Sequence, residues 1–278
     1  MSEKNAVIGA IIGDVAGSSY EFNNVKNKNV ELFPQKKECK ATDDSILTIA
    51  VADAIMQTEE FNKDKTFERT FKEVLVDSLH YHARNHPFCG FGYRFLNWII
   101  ARESKPYNSW GNGSAMRVSP AVYAANTLED VLNMAKLTSE VTHNHRKGIR
   151  GAQAVAGAIF LARTGHSKED IRKFIEKYYY KLSFTLNEIR PTYKYDISCE
   201  GSVPQAIVAF LEATDFEDAI RNAISIGGDS DTIAAIAGSI AGAYYPIPQQ
   251  LRDKAFTYLD PEQTDLVLQF EQKYISCQ

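Results

Sequence analysis

Residues 227–245 read GGDSDTIAAIAGSIAGAYY, an acidic turn followed by a run of small and apolar residues. The apolar run over residues 233–245 predicts a helix, which is too short and too rich in Ala and Gly to span a bilayer. A helix that is small and apolar nearly all round packs at the centre of a protein. The acidic turn therefore lies at the start of a central helix.

Asp229 and Asp231 lie two residues apart in this turn, and Thr232 stands beside them. Carboxylate and hydroxyl oxygens so arranged suit a hard cation such as Mg²⁺ or Mn²⁺. The same residue types are also the favoured helix caps, and taken singly the cluster predicts a cap. A cation gains nothing from the positive end of a helix dipole, so a metal site there needs several anionic ligands.

A second acidic cluster, TDDS at residues 42–45, offers the same residue types in nearly mirrored order. Small and apolar residues follow it as far as residue 57, which predicts a second central helix that Thr42 or Asp43 would start. Asp44 completes the pair of carboxylates in this cluster. The two clusters could meet around a shared metal site, and the metal hypothesis depends on their converging.

Residues 6–18 are apolar and predict a helix with a glycine at every fourth position from residue 9 to residue 17. The face that carries these glycines has no side chains, so another helix can approach closely there. Asp14 interrupts the apolar run as a candidate buried acid, although capping of a helix end is the commoner fate of an aspartate. Glu21 follows the helix at the start of a long polar loop.

Residues 111–117 read GNGSAMR and can expose successive backbone N–H groups to an anion, because glycines flank an Asn and precede a Ser, and an Arg follows. The segment consists of Gly111, Asn112, Gly113, Ser114, Ala115, Met116 and Arg117. It is not a P-loop, since the Gly-Lys-Ser/Thr ending is missing, and an isolated instance is more often an ordinary tight turn. Downstream, THNHR at residues 142–146 either complements a helix end or presents His and Arg to a phosphate.

The whole chain has the composition of an ordinary soluble globular protein, with 278 residues, 44% hydrophobic and 24% charged. A net charge of −4 argues against non-specific binding to a nucleic acid backbone. The four cysteines are widely scattered without metal-ligand spacing, which favours free thiols in a reducing cytosol. The N-terminus lacks the form of a signal peptide. We therefore predict a soluble, cytoplasmic protein with no membrane partner.

Helical periodicity continues along most of the chain, and no strand pattern, tandem repeat or low-complexity linker interrupts it. Pro204 opens one predicted helix, and Pro261 starts the last one directly after Asp260. We predict a single all-α domain over residues 1–278, a compact orthogonal bundle of about ten helices. The acidic clusters lie at helix ends, where a rigid bundle would form a cleft that contains the metal.

Five ordered motifs together resemble the ADP-ribosylglycohydrolase family over nearly the whole chain. They are GAIIGDVAGSSYE at residues 9–21, TDDS at 42–45, GNGSAMR at 111–117, TH at 142–143 and GGDSDT at 227–232. Each motif alone is weakly specific, but the five in this order are highly specific. The SSYE ending of the first motif and residues 200–211 look closest to the branch of the family that hydrolyses serine-linked ADP-ribose.

The resemblance implies an all-α fold with a binuclear Mg²⁺ centre, or a Mn²⁺ centre, in a cleft. The positions that match the family's metal ligands are Thr42, Asp43, Asp44, Asp229, Asp231 and Thr232. Glu21 matches a glutamate that gates the site and approaches the metal. Residues 111–117 match the loop that holds the substrate diphosphate and distal ribose. His143 matches a substrate-contacting histidine, and Ile197 looks like the position lining the adenine side.

The function that the resemblance implies is a Mg²⁺-dependent hydrolase, which cleaves the glycosidic bond at the distal ribose of ADP-ribosylated substrates and releases ADP-ribose. A carboxylate, Glu21 or an aspartate such as Asp43 or Asp229, would take or relay the proton. The substrate would be an ADP-ribosylated protein or a small ADP-ribosyl compound, and a nucleic acid only if it is ADP-ribosylated. Serine, arginine, a nucleobase and O-acetyl-ADP-ribose all stay open as acceptors.

Two other functions stay open. A Mg²⁺-dependent phosphohydrolase would split a nucleotide such as ADP-ribose itself into AMP and ribose phosphate, so analysis of the products distinguishes it. A non-catalytic member of the fold would bind ADP-ribose tightly without turnover, or would have a structural role. All six matching ligand positions are filled in this sequence, which argues against a non-catalytic member.

Overall fold

A computed structural model describes residues 4–34, 39–58 and 64–276 of the chain. These residues form fourteen α-helices and one 3₁₀ helix (Ser119–Tyr123), with no β-strand among them. In chain order the α-helices are α1 (Ala6–Ser18), α2 (Asp43–Gln57), α3 (Lys65–Asn85), α4 (Tyr93–Ile100), α5 (Gly113–Met116), α6 (Leu128–Glu140), α7 (Arg146–Arg163), α8 (Lys168–Tyr178), α9 (Leu186–Ile189), α10 (Cys199–Leu211), α11 (Phe216–Ser225), α12 (Ser230–Tyr244), α13 (Gln249–Phe256) and α14 (Pro261–Tyr274). The predicted all-α fold is confirmed.

The centre of the fold is a close pair of helices, α1 and α12, which are buried along nearly their whole length. A Cβ atom added to Gly13 would lie 2.0 Å from the backbone oxygen of Ala234, and one added to Gly17 would lie 2.6 Å from the Cα atom of Asp231. The glycine face of α1 therefore allows direct backbone contact, as the spacing predicts. Because of this contact, the last turn of α1 lies beside the acidic turn that begins α12.

Asp14 connects α1 to the start of α2. Its fully buried carboxylate accepts hydrogen bonds from the backbone N–H groups of Thr42 (2.9 Å) and Ser45 (3.0 Å) and from the Thr42 hydroxyl (2.5 Å). The Ser45 hydroxyl also donates to it. An aspartate inside one helix thus caps the N-terminus of another, where the first N–H groups have no partner within their own helix. Asp14 is therefore both buried and a helix cap, and the helix that it caps is not its own.

Several helix boundaries differ from those that the sequence predicts. Helices α4 and α13 were not predicted, and they follow Gly92 and Pro248, neither of which makes a side-chain cap hydrogen bond. The usual capping signal is therefore absent at both starts. Helix α10 begins at Cys199 after a cap by Ser198, and Pro204 lies inside it, so the predicted start at Pro204 is wrong. The Ser198 cap is the stronger signal at this end.

Apolar side chains from most of the helices form one connected hydrophobic core. Among the residues that the structure describes, no helix combines the length and the hydropathy needed to cross a membrane. Cys89 and Cys199 are buried free thiols, whereas Cys277 lies outside the described residues. The single domain over residues 1–278 stays a prediction.

Candidate metal centre and its cleft

The two acidic clusters meet where α2 and α12 begin. The Thr232 hydroxyl donates a hydrogen bond to Asp44 Oδ2 across the two helix starts, at a distance of 3.1 Å. Carboxylate oxygens of Asp14, Asp44 and Asp231 lie within 4.8 Å of one another. The convergence on which the metal hypothesis depends is therefore present, and these acidic residues could hold a metal ion.

A second group of carboxylates adjoins the first. Oxygens of Glu21, Asp229 and Asp231 also lie within 4.8 Å of one another, so Asp231 belongs to both groups. The structure thus brings Glu21, which follows α1 in the chain, to the acidic turn before α12. The two groups together form a continuous set of oxygen donors of the kind that hard cations prefer.

Asp44 gives the clearest sign that the cluster fits a cation. The residue is 2% exposed, and its Oδ1 atom is buried without a hydrogen-bond partner among the described residues. An unpaired carboxylate oxygen in a buried position carries a large desolvation cost. A divalent cation would supply the missing partner, so the donor set and this unpaired oxygen both fit the predicted metal.

Not every predicted ligand belongs to these two groups. Asp43 is half-buried, lines the cleft beside Gly90 and is a member of neither group. The Thr42 hydroxyl is already bonded to Asp14. Asp14 itself was not among the predicted ligands, although a lone acid in an apolar helix was a signal for it. Because Asp14 accepts four hydrogen bonds from the start of α2, we expect it to orient that helix start more than to bind a cation.

The buried acids hold protons more tightly than ordinary aspartates. Burial raises the pKa of Asp14 and the pKa of Asp229 to about 6. It also raises the pKa of Asp43 to about 8, with a further contribution from neighbouring carboxylates. The pKa values of Asp44 and Asp231 are raised well above the ordinary range, first by burial and then by the nearby acids. A bound cation reverses this preference, because it favours the ionised carboxylates.

Asn112 holds Asp229 in the cleft. Asp229 occupies the N-cap position of α12 but makes no side-chain cap hydrogen bond. Its Oδ2 atom accepts a hydrogen bond from Asn112 Nδ2 at 2.6 Å, and the same amide group donates to the Ser202 hydroxyl at 3.0 Å. The capping interpretation of Asp229 is therefore wrong, and its carboxylate is directed by a neighbouring segment instead.

The predicted anion loop, residues 111–117, is partly a helical turn. Residues 113–116 form α5, and Ser114 and Ala115 are buried away from the cleft, whereas the other five residues line it. The backbone N–H groups of Asn112, Ala115 and Met116 already bond to carbonyl oxygens. Fewer N–H groups are therefore available to an anion than the sequence predicts, because in the first turn of α5 those of Gly113 and Ser114 are the ones without a helical partner.

Arg117 contributes a cation that the structure leaves partly unsatisfied. The residue is fully buried, and its Nη2 atom donates to the Thr142 hydroxyl at 2.7 Å and to the Thr138 carbonyl oxygen at 3.3 Å. Its Nε and Nη1 atoms have no hydrogen-bond partner among the described residues. Burial lowers the pKa of the guanidinium to about 10, which still leaves it charged at neutral pH. Two unpaired donors on a buried cation beside the cleft suit an anionic ligand.

His143 contributes a neutral imidazole to the same cleft. Burial, with a contribution from Arg117, lowers the pKa of its imidazole well below the ordinary value. Its Nδ1 atom lies 2.8 Å from the Thr142 hydroxyl, which already accepts a bond from Arg117. The other ring nitrogen, Nε2, would lie 3.1 Å from a Cβ added to Gly113, so it faces the predicted anion loop.

Most of these residues line one cavity of about 280 Å³, although Asp14 and Thr42 do not. Its walls include the acids at the starts of α2 and α12 as well as Arg117 and His143. Ile197 also lines it and is 57% exposed, and its carbonyl oxygen accepts a hydrogen bond from the Asn112 backbone at 2.8 Å. Oxygen donors for cations and N–H donors for anions therefore share a single cleft.

Comparison with known proteins places this geometry in a family. The sequence profile described as ADP-ribosylglycohydrolase matches residues 4–274. The chain belongs to the ADP-ribosylglycohydrolase family. ADP-ribosylhydrolase ARH3 of Homo sapiens is 27% identical to this family member over 96% of the chain and 91% of that protein. ADP-ribosylarginine hydrolase Tri1 of Pseudomonas putida is 24% identical over 88% of this chain and 70% of that protein.

A solved structure has the same fold as this ADP-ribosylglycohydrolase family member. A chain of an "ADP-ribosylglycohydrolase-related protein complex" superposes with a TM-score of 0.68 at 21% sequence identity, which covers 98% of this chain and 97% of that one. These two relatives are named as hydrolases, and this family member is accordingly a hydrolase.

Proposed function

We propose that this hydrolase is a Mg²⁺-dependent glycohydrolase, which cleaves the glycosidic bond at the distal ribose of ADP-ribosylated substrates and releases ADP-ribose. The observation that carries the proposal is the meeting of two acidic groups around Asp231 in the cleft that Arg117 and His143 also line. One part of the cleft suits cations and ribose hydroxyls, and the other suits a diphosphate. The names of the relatives support this class of substrate.

Metal ions would be held by the oxygen donors at the two helix starts. The proposed ligands are Thr42, Asp43, Asp44, Asp229, Asp231 and Thr232, with Glu21 approaching from its loop. Two divalent cations, Mg²⁺ or Mn²⁺, supply charge that positions ribose hydroxyls and acidifies water when they are bound. Of these groups, Asp44 and Asp231 are the ones whose burial most strongly calls for a compensating positive charge.

The protein groups have distinct tasks in this reaction. Cleavage at the anomeric carbon of the distal ribose builds positive charge on the sugar. An oriented water loses a proton to a carboxylate and adds to that carbon, and the departing acceptor takes up a proton. Glu21 is partly exposed at the cleft, which suits a group that exchanges protons with water, and Asp43 and Asp229 are the other candidates. The unpaired guanidinium donors of Arg117 and Nε2 of His143 would bind the diphosphate side.

The residues at the rim of the cleft bear on which acceptor group the substrate can carry. Residues 80–98 contain no Asp or Glu, and in this region the cleft is lined by Tyr93 and Arg94 among others. A cationic acceptor such as an arginine side chain would meet the like charge of Arg94 there, while Asp43 beside Gly90 is an acid that would offset it. Serine, arginine, a nucleobase and O-acetyl-ADP-ribose therefore all stay open as acceptors. An ADP-ribosylated protein or a small ADP-ribosyl compound would be the substrate, and the cytoplasm stays the predicted location.

The proposal is tested by a hydrolysis panel of serine-, arginine- and nucleic-acid-linked ADP-ribose, with Mg²⁺ and with EDTA. We expect Mg²⁺-dependent release of intact ADP-ribose, and a loss of about 100-fold or more in Asp231→Asn, because removing a shared anionic ligand removes the bound charge. Asp265→Asn, an exposed aspartate on α14, is the matched control and should keep full activity. Release of AMP would indicate a phosphohydrolase, and tight ADP-ribose binding without turnover would indicate a non-catalytic member.

A further inference from the structure

Two loops come together beside the acidic turn. Loop A, defined as residues 19–34, follows α1 and carries Glu21, whereas loop B, defined as residues 190–198, precedes α10 and carries Tyr195. The Tyr195 hydroxyl donates a hydrogen bond to Glu21 Oε1 at 3.1 Å. This hydrogen bond joins two loops that are far apart in the sequence. It does so at Glu21, the one predicted ligand that does not lie at a helix start.

Other hydrogen bonds fasten the bases of the two loops to the turn before α12. Asn24 in loop A bonds to Gly228 in both directions, with Nδ2 donating to the carbonyl oxygen at 3.1 Å and Oδ1 accepting from the backbone N–H at 2.6 Å. Lys26 Nζ donates to the carbonyl oxygens of Tyr193 in loop B (2.7 Å) and Ile226 (2.5 Å). Loop A is therefore attached both to loop B and to the residues just before Asp229.

The pair Gly227–Gly228 allows the loops to come this close. Both residues have positive φ angles, +66° and +78°, which only glycine adopts readily. A Cβ atom on Gly227 would lie 2.8 Å from Asn24 Oδ1, and one on Gly228 would lie 2.4 Å from a ring carbon of Tyr193. The glycines before the acidic turn thus serve the docking of both loops as well as the turn.

One hydrogen bond holds the carboxylate of Glu21. Among the described residues, the Tyr195 hydroxyl is the only group that donates a hydrogen bond to its carboxylate. Glu21 is half-buried and Tyr195 is 51% exposed, so packing alone does not fix the glutamate side chain. A glutamate free to rotate loses considerable conformational freedom on binding a cation, and a hydrogen bond made beforehand reduces that loss.

We infer that Tyr195 is a positioning residue, which holds Glu21 against Asp229 and Asp231 and thereby strengthens the binding of a divalent cation. The inference rests on the metal centre of the proposed function and not on its substrate. Tyr195 acts through Glu21, because the carboxylate and not the phenol belongs to the group of closely spaced oxygens. Its contribution must therefore disappear when the carboxylate is removed.

A double-mutant cycle tests this dependence on the full chain, with Mn²⁺ as the probe and free Mn²⁺ measured by electron paramagnetic resonance. We expect Tyr195→Phe to weaken Mn²⁺ binding about three- to tenfold, the effect of losing one hydrogen bond to a charged group at a half-exposed site. In the Glu21→Ala background, Tyr195→Phe should change the affinity by less than about twofold, because coupled residues are not additive. The unfolding midpoint of the metal-free protein should not change.

Tyr193→Phe is the matched control. It removes a hydroxyl from the same loop, but that hydroxyl donates to the Gly201 carbonyl oxygen at 2.7 Å and does not contact Glu21. It should leave Mn²⁺ affinity within about twofold of the original value. The inference is wrong if Tyr195→Phe leaves the affinity unchanged, or if it weakens binding equally with and without the Glu21 carboxylate.

The two proposals fail in distinguishable ways. A protein that shows the expected Mn²⁺ cycle but hydrolyses no ADP-ribosylated substrate refutes the proposed function and leaves the role of Tyr195 intact. A protein that releases ADP-ribose with Mg²⁺ but shows no coupling between Tyr195 and Glu21 refutes the inference alone. A protein that binds no Mn²⁺ refutes both.

Discussion

Replacement of Gly13 by alanine should damage the contact between α1 and α12. The new Cβ atom would lie 2.0 Å from the backbone oxygen of Ala234, and side-chain carbons essentially never come closer than 3.0 Å to such an atom, so the two backbones must separate by about 1 Å. No rotamer change can relieve a clash between a Cβ atom and a backbone oxygen. Overpacking of this kind costs about 1–3 kcal/mol, against about 1 kcal/mol that alanine gains over glycine in a helix.

We therefore expect the free energy of unfolding of Gly13→Ala to fall by about 1 kcal/mol, the middle of the net range, measured by urea denaturation of the metal-free protein and followed by circular dichroism. Mn²⁺ affinity should fall as well, because Asp14 holds the start of α2, and the separation would move Asp44 there away from Asp231. Gly92→Ala is the control, since a Cβ atom there has no neighbour within 4 Å. If Gly13→Ala were as stable as Gly92→Ala, the backbone contact would not be the feature that sets the helix spacing.

Two more predictions concern the charges of the site. In EDTA the unfolding midpoint should fall as the pH rises from 6 to 8, because folded Asp14 and Asp43, with pKa values raised to about 6 and about 8, hold protons that the unfolded chain releases near its ordinary value of 3.8. With saturating Mg²⁺ this decline should vanish or reverse, and a decline of the same size in both conditions would contradict the assignment. Asn112→Ala should lower kcat about tenfold by releasing Asp229, whereas Ser202→Ala, which removes only the other partner of that amide, should have little effect.

The sequence carries strong local signals for the metal side of the site. Thr42 to Asp44 and Asp229 to Thr232 combine the right oxygen donors with helix starts, and the glycine spacing of α1 predicts the close contact that aligns them. The sequence alone does not show whether the two clusters meet in the fold. Their meeting depends on contacts between residues nearly two hundred positions apart, such as Thr232 with Asp44. Local patterns do not encode which helix starts meet.

The features of the site that could not be predicted from the sequence depend on tertiary contacts. Asp14 is a single acid in an apolar helix, and its four donors belong to another helix. The contact between Glu21 and Tyr195 joins two loops without periodicity. The helical turn in residues 111–117 begins at Asn112 without a side-chain cap, which leaves no capping signal to read. For Asp14 and Glu21 the decisive hydrogen bonds join segments that are far apart in the sequence.

The unpaired Oδ1 atom of Asp44 has a consequence for how the protein persists in a cell. Folding removes this oxygen atom from water, and a bound cation would replace the lost water contact. A cation that binds only the folded chain stabilises it, so the stability of the protein would rise with the concentration of the free ion. An ion at one hundred times its dissociation constant stabilises a folded chain by about 2.7 kcal/mol for each site. The supply of the proposed divalent cation would then affect how much folded protein survives proteolysis, besides any effect on turnover.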